Sequence, residues 1–177
     1  MSKKLTVIPS QCSGCKMCEL VCSIEHFGVN NPKKSAVRVL IAYPHPVVRM
    51  PIVCSQCKMP PCEDVCPVNA LSRIDDIVKL DKNACISCFK CVEACPFGAF
   101  YVHDDCDQPI KCDMCEGDPA CVKNCPKGAL RLIPEYALGE SKRINNLLSY
   151  TQMKEIEFYE KGEKKTIHYA EIGKEEL

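Results

Sequence analysis

The chain has 177 residues, enough for one domain with a small appendage, and its 23 Lys and Arg cancel its 23 Asp and Glu. That balance excludes the basic field that draws a protein to nucleic acid or an acidic membrane surface. Tryptophan is absent and aromatics make up only 6 % of the residues, a thin supply for a core, whereas 17 residues are cysteine.

In chain order, "KLTVIP" at the N-terminus reads as a strand leading into the first cysteines. Its apolar run is too short for a signal-peptide core, and no twin-arginine pair precedes it. No stretch approaches the roughly 18 apolar residues of a membrane-spanning helix, so a cytoplasmic location is expected. In a reducing cytosol clustered thiols bind metal more often than they form disulfides, and an odd number cannot pair completely.

Cys12, Cys15, Cys18 and Cys22 then follow C-x2-C-x2-C-x3-C. "AVRVLIAY" and "PVVRMPIV", parted by "PHP", predict a strand, a turn and a strand. Cys54, Cys57, Cys62 and Cys66 repeat the motif as C-x2-C-x4-C-x3-C, closed by Pro67. "ALSRIDDIVKLD" alternates as a hairpin does, and Cys85, Cys88, Cys91 and Cys95 return to the tight spacing before Pro96. Cys112, Cys115, Cys121 and Cys125 form the fourth motif, C-x2-C-x5-C-x3-C, before Pro126. Only Cys106 has no place in this repeat, and it reads as a free thiol. His45, His103 and His168 stand singly and are assigned no chemistry; His26, four residues after Cys22, could replace a ligand in principle, but a capping or surface role beside "EHFG" suits it better.

Three of the motifs end alike, in "CPVNAL", "CPFGAF" and "CPKGAL". The proline halts the preceding turn, and the small Gly98 and Gly128 let backbone pass close to a bulky group. Cys22 is followed by Ser23 instead, which predicts different geometry there. Short helices are expected after the fourth cysteines. From Ile133 the composition changes to charged and cysteine-free. "GESKRINNLLSY" has helical spacing, and "KEIEFYEKGEKKTIHYAEI" reads as a hairpin, marginal alone and therefore packed on the body or on a partner.

Three cysteines at i, i+3 and i+6 in a tight loop can cap three irons of a cubane, while the fourth points toward a neighbouring cluster. Structural zinc needs only two cysteine pairs and has no use for a third cysteine at this spacing or for the recurring x3-C-P tail. Four 4Fe-4S clusters are the expectation; one deviating site stays open, with the longer gaps of the second and fourth motifs as its place. There is no P-loop, GxGxxG, nucleophile elbow or HExxH. The one implied cofactor moves single electrons, so no substrate site or enzymatic activity is expected of this chain alone.

Over residues 5 to about 133 these ordered motifs, with "EHFG" in the first spacer, resemble the four-cluster ferredoxin-like subunits. These serve molybdenum or tungsten pterin oxidoreductases, hydrogenases, and formate and carbon monoxide dehydrogenases. The neutral chain looks most like the small subunits of tungsten-dependent aldehyde oxidoreductases or benzoyl-CoA reductases. The resemblance implies an α+β fold: a tandem bacterial-ferredoxin-like body of two pseudo-symmetric dicluster units over 1–133, with a helix and hairpin extension over 134–177. It implies that the first motif pairs with the fourth and the second with the third. One cluster would then use Cys12, Cys15, Cys18 and Cys125, and its neighbour Cys112, Cys115, Cys121 and Cys22. The inner pair would use Cys54, Cys57, Cys62 and Cys95, and Cys85, Cys88, Cys91 and Cys66. The implied function, in anaerobic metabolism, is an electron wire serving a large catalytic subunit, with another carrier subunit or a ferredoxin as a further partner. A free-standing polyferredoxin shuttle is the alternative, and a cluster-based sensor or structural zinc protein a remoter one.

Overall fold

A computed structural model of the chain describes residues 3–42, 48–137, 155–160 and 163–168. The strand expected from "KLTVIP" is Lys3–Val7 (β1), and it pairs with Leu130–Pro134 (β8). The two β-branched runs form Arg38–Ala42 (β2) and Val48–Ile52 (β3), antiparallel from Arg38↔Ile52 to Ala42↔Val48. The turn expected at "PHP" and the helix expected over "GESKRINNLLSY" lie outside the described residues.

Leu71–Ile74 (β4) and Ile77–Leu80 (β5) make the expected hairpin, with Ile74 opposite Ile77. Its two-residue turn holds Asp75 and Asp76 at φ +49° and +65°, the left-handed geometry that matches the strand twist and that short polar side chains tolerate. A shorter pair, Phe100–Tyr101 (β6) with Ile110–Lys111 (β7), follows.

The helices stand elsewhere than expected. Met17–Phe27 (α1), Pro61–Asp64 (α2), Lys90–Ala94 (α3) and Ala120–Lys123 (α4) come before the fourth cysteines or, in α1, contain it. The reason is the Cys–Pro step: a proline disfavours helical backbone at the residue before it, so each short helix ends there and a turn follows. Only α1, whose Cys22 precedes a serine, runs on, until Gly28 at φ +66° closes it with an N–H to the Ile24 carbonyl.

α1 buries Cys18, Glu19, Cys22 and Ser23, one stripe at helical spacing. Glu19 is 1 % exposed, and its carboxylate accepts from the Val39 N–H at 2.7 Å, which ties the helix to β2. The apolar core falls into two clusters, and both are part sulfur. One gathers Leu5, Val37, Val39, Ile110, Met114 and Leu130 with Cys18, Cys22 and Cys121. The other gathers Leu71, Val78 and Phe100 with Cys62 and Cys91. In the same division, α1 packs on α4 and α2 on α3.

The chain divides into two units, Ser2–Leu132 and, with Met1, Ile133–Leu177. The second contains the expected hairpin, Glu155–Glu160 (β9) against Glu163–His168 (β10), in register from Glu155↔His168 to Glu160↔Glu163. Among the described residues no helix is long and apolar enough to cross a membrane.

Candidate metal centres

Each motif opens with a loop that cannot be helical. The residue two beyond the first cysteine has positive φ in all four: Gly14 at +75°, Gln56 at +48°, Ser87 at +56° and Met114 at +64°. Only one of them is the glycine such a backbone favours, so the other three carry a local cost of about 1 kcal/mol or more each. The left-handed residue turns the loop back on itself, which suits consecutive cysteines converging on one centre.

The fourth cysteines share a second device. Asn69, Gly98 and Gly128, three residues after Cys66, Cys95 and Cys125, sit at φ +51°, +58° and +60°. Their N–H groups donate to the carbonyls of those cysteines and close a turn. The next N–H then points at sulfur: Ala70 to Cys66 Sγ at 3.2 Å, Ala99 to Cys95 Sγ at 3.4 Å, Ala129 to Cys125 Sγ at 3.2 Å. Cys22, lying inside a helix, has no such turn. Its sulfur receives the N–H of Ala36, fourteen residues away, at 3.3 Å. The departure expected from Ser23 is thus a change of donor from local to distant.

The fold brings three sets of four thiols together. Cys12, Cys15, Cys18 and Cys125 line one small pocket. Cys66, Cys85, Cys88 and Cys91 line another. Cys22, Cys112, Cys115 and Cys121 line a third. Cys54, Cys62 and Cys95 lie near enough for Cys62 to feel the charge of the other two, and Cys57 follows in the same loop. Cys15 and Cys88 are exposed; Cys18, Cys22, Cys54, Cys62, Cys91 and Cys121 are buried.

Burial pushes the free thiols up from their ordinary 9.0: Cys18 and Cys112 to about 12, Cys22 and Cys62 to about 11, Cys121 higher still. Neighbouring cysteines add to the effect in each case. Cys66 goes the other way, because backbone N–H groups from Val68 to Leu71 outweigh its desolvation. Four soft sulfur donors around each of three small pockets, with N–H groups aimed at sulfur, fit an electron-rich iron–sulfur group.

Two side chains stand against these thiols, one expected only to cap or face solvent and one not singled out in the sequence. His26 Nε2 lies 3.4 Å from Cys115 Sγ and 3.6 Å from Asp113 Oδ1. His26 is one helical turn beyond Cys22 and shares its face, the spacing that made it a possible ligand, and the structure sets it beside a thiol of the fourth motif. Lys111 Nζ lies 3.6 Å from Cys54 Sγ, a contact between motifs that spacing cannot reveal. Cys106 is half-buried against the first core cluster and belongs to none of the four sets. His103 is structural: Nε2 meets Asn31 and Nδ1 accepts from the Asp105 N–H.

The sequence pattern of the 4Fe-4S dicluster domain matches residues 46–134, which hold the last three motifs. The chain is 38 % identical over 124 residues to the polyferredoxin-like subunit of aliphatic sulfonate oxidoreductase from Pyrococcus furiosus, covering 68 % of this chain and 70 % of the relative. With formate hydrogenlyase subunit 2 of Escherichia coli it shares 30 % identity over 190 aligned positions, 86 % of this chain and 92 % of the relative. The solved active site complex BamBC of benzoyl coenzyme A reductase covers 84 % of this chain and 90 % of its own, at 26 % identity and a TM-score of 0.45. Some relatives are far longer: the chain spans 23 % and 25 % of the putative Escherichia coli oxidoreductases UacF and AegA.

Proposed function

The chain belongs to the 4Fe-4S dicluster ferredoxin family of iron–sulfur electron-transfer proteins, and we propose that it is a four-cluster relay serving a separate catalytic oxidoreductase subunit. The observation that carries this reading is the gathering of cysteines in fours. Cys12, Cys15, Cys18 and Cys125 would hold one cluster, and Cys112, Cys115, Cys121 and Cys22 its neighbour. Cys54, Cys57, Cys62 and Cys95 would hold a third, and Cys85, Cys88, Cys91 and Cys66 the fourth. The two core clusters and the two helix pairs support the tandem arrangement, because each joins the first motif to the fourth or the second to the third.

When bound, a 4Fe-4S cluster takes up and returns one electron. The protein's part is to hold it as thiolate, keep water from the buried cysteines and meet the charge on sulfur with N–H donors, each of which tunes the potential. An extension over 134–177, whose expected helix lies outside the described residues, would follow the four-cluster body of 1–133 and pack on that body or on the partner. A tungsten or molybdenum enzyme is the partner implied by the resemblance of the ordered motifs. The Pyrococcus furiosus and Escherichia coli relatives are both subunits of larger enzymes, which supports a complex over a free shuttle. Reduced, cluster-ready thiols suit a cytoplasmic location.

Anaerobically purified protein is expected to hold about sixteen iron and sixteen sulfide per chain, four of each per cubane. Cys88→Ser should remove or alter one cluster and slow electron transfer. Zinc in place of iron, or wild-type transfer with that cluster gone, would refute the relay.

A further inference from the structure

Three cations converge on the loop from Cys54 to Cys57. Lys111 Nζ reaches Cys54 Sγ at 3.6 Å and also donates to the Cys112 carbonyl at 2.9 Å, with the Phe100 ring 5.9 Å below it. Lys4, only 8 % exposed, donates from Nζ to the Gln56 carbonyl at 2.8 Å. Arg73 donates to the same carbonyl at 3.1 Å and to the Cys57 carbonyl; its charge is partly met by Asp76 at 2.6 Å. Gln56 holds the loop for them: its side chain donates to the Cys112 carbonyl and accepts from the Val78 N–H.

Around the other sets the charges are mixed. Asp113, Glu25 and Asp118 are charged neighbours of Cys115 and Glu19 stands beside Cys18, while Lys16 and Lys127 line the pocket of Cys12, Cys15, Cys18 and Cys125, and Lys90 that of Cys66, Cys85, Cys88 and Cys91. Among the described residues, the Cys54 loop is where an ammonium contacts sulfur directly. Burial raises Cys62, and Lys111 is the largest influence acting against it. A fixed positive charge beside cluster sulfur favours the state with the extra electron, and partial burial leaves that effect little screened.

We propose that Lys111, supported by Lys4 and Arg73, makes the Cys54, Cys57, Cys62 and Cys95 site the electron sink of the relay, the position of the four that is reduced first. The assignment rests on the ligand reading above. Reduction adds one electron, delivered by the redox partner, and no bond forms or breaks at Lys111, which is a positioning residue for charge.

The test is a potentiometric titration of the anaerobic holoprotein followed by electron paramagnetic resonance, with iron counted alongside. Lys111→Met should shift the highest-potential step downward at least tenfold in its oxidised-to-reduced ratio, about 59 mV for one electron, and leave the other steps in place. Lys111→Arg should keep the wild-type value. An unmoved highest step in Lys111→Met at full iron, or an equal shift in Lys111→Arg, overturns the assignment and leaves the ligand reading intact. Should Lys111→Met lose iron, Lys4→Met, which touches no sulfur, must move the same step downward; if it does not, the assignment falls. Wild-type protein with fewer than about sixteen irons counts against the ligand reading itself, and the assignment falls with it.

Discussion

Ser87 shows how a single residue pays for cluster geometry. It holds φ +56° in the loop from Cys85 to Cys88, where glycine would sit without strain. Ser87→Gly should raise the stability of the holoprotein by about 1 kcal/mol, read as an increase in melting temperature at unchanged iron content; a fall would show that the side chain has a role the backbone does not explain. The thiols make a second residue-scale prediction. Without iron the chain is expected to unfold, which leaves its thiols near their ordinary value and mostly protonated at neutral pH; folding then buries Cys18, Cys22, Cys62 and Cys112 and raises them to about 11–12 unless iron takes the proton's place. Each must lose its proton to bind iron, and a raised value means fewer thiolates at any given pH. Reconstitution with iron and sulfide should therefore go further at pH 8.5 than at pH 6.5, measured as iron per chain, and a flat profile would count against buried thiols as ligands.

Among the elements, the turn after each fourth cysteine is the most informative. Gly98 and Gly128 are matched by Asn69 in the second motif, all three in the left-handed region. Asparagine tolerates that backbone where alanine does not, because alanine there costs roughly 1–2 kcal/mol. A Cβ at Gly128 would meet Arg131 and Gln11 only at ordinary contact distance, 3.6 Å or more. Gly128→Ala should thus lower stability through backbone strain alone and loosen the Ala129 bond to Cys125, while Gly128→Asn should come close to wild type. Equal melting temperatures for the two variants would remove the strain argument. The Cys–Pro–x–Gly pattern was legible in the sequence, but the helix was expected on its wrong side. Proline acts on the residue before it, and the consequence is a helix that stops rather than one that starts.

At the scale of the whole molecule, two apolar clusters that both include cysteine make a small core for the Ser2–Leu132 unit. Where folding energy comes largely from metal ligation, removing the metal removes the fold. Complete chelation of iron should abolish the cooperative melt and collapse the far-ultraviolet circular dichroism of this unit; a retained transition would show that the side-chain core suffices alone. The division of the core also bears on organisation. Cys18, Cys22 and Cys121 share one cluster and Cys62 and Cys91 the other, and the proposed pairing of motifs rests on that partition.

The spacing of thiols, prolines and glycines in the chain was enough to group sixteen cysteines into one repeated motif and to place most strands, because those signals are local and periodic. Which thiols face one cavity, which N–H reaches Cys22 and which ammonium touches Cys54 were matters for the folded chain. Ala36 lies fourteen residues from Cys22 and Lys111 fifty-seven from Cys54, and contacts over such separations leave no mark in the local pattern. Charge acts through space, so the electrical character of each site could be seen only once distant segments had been brought side by side.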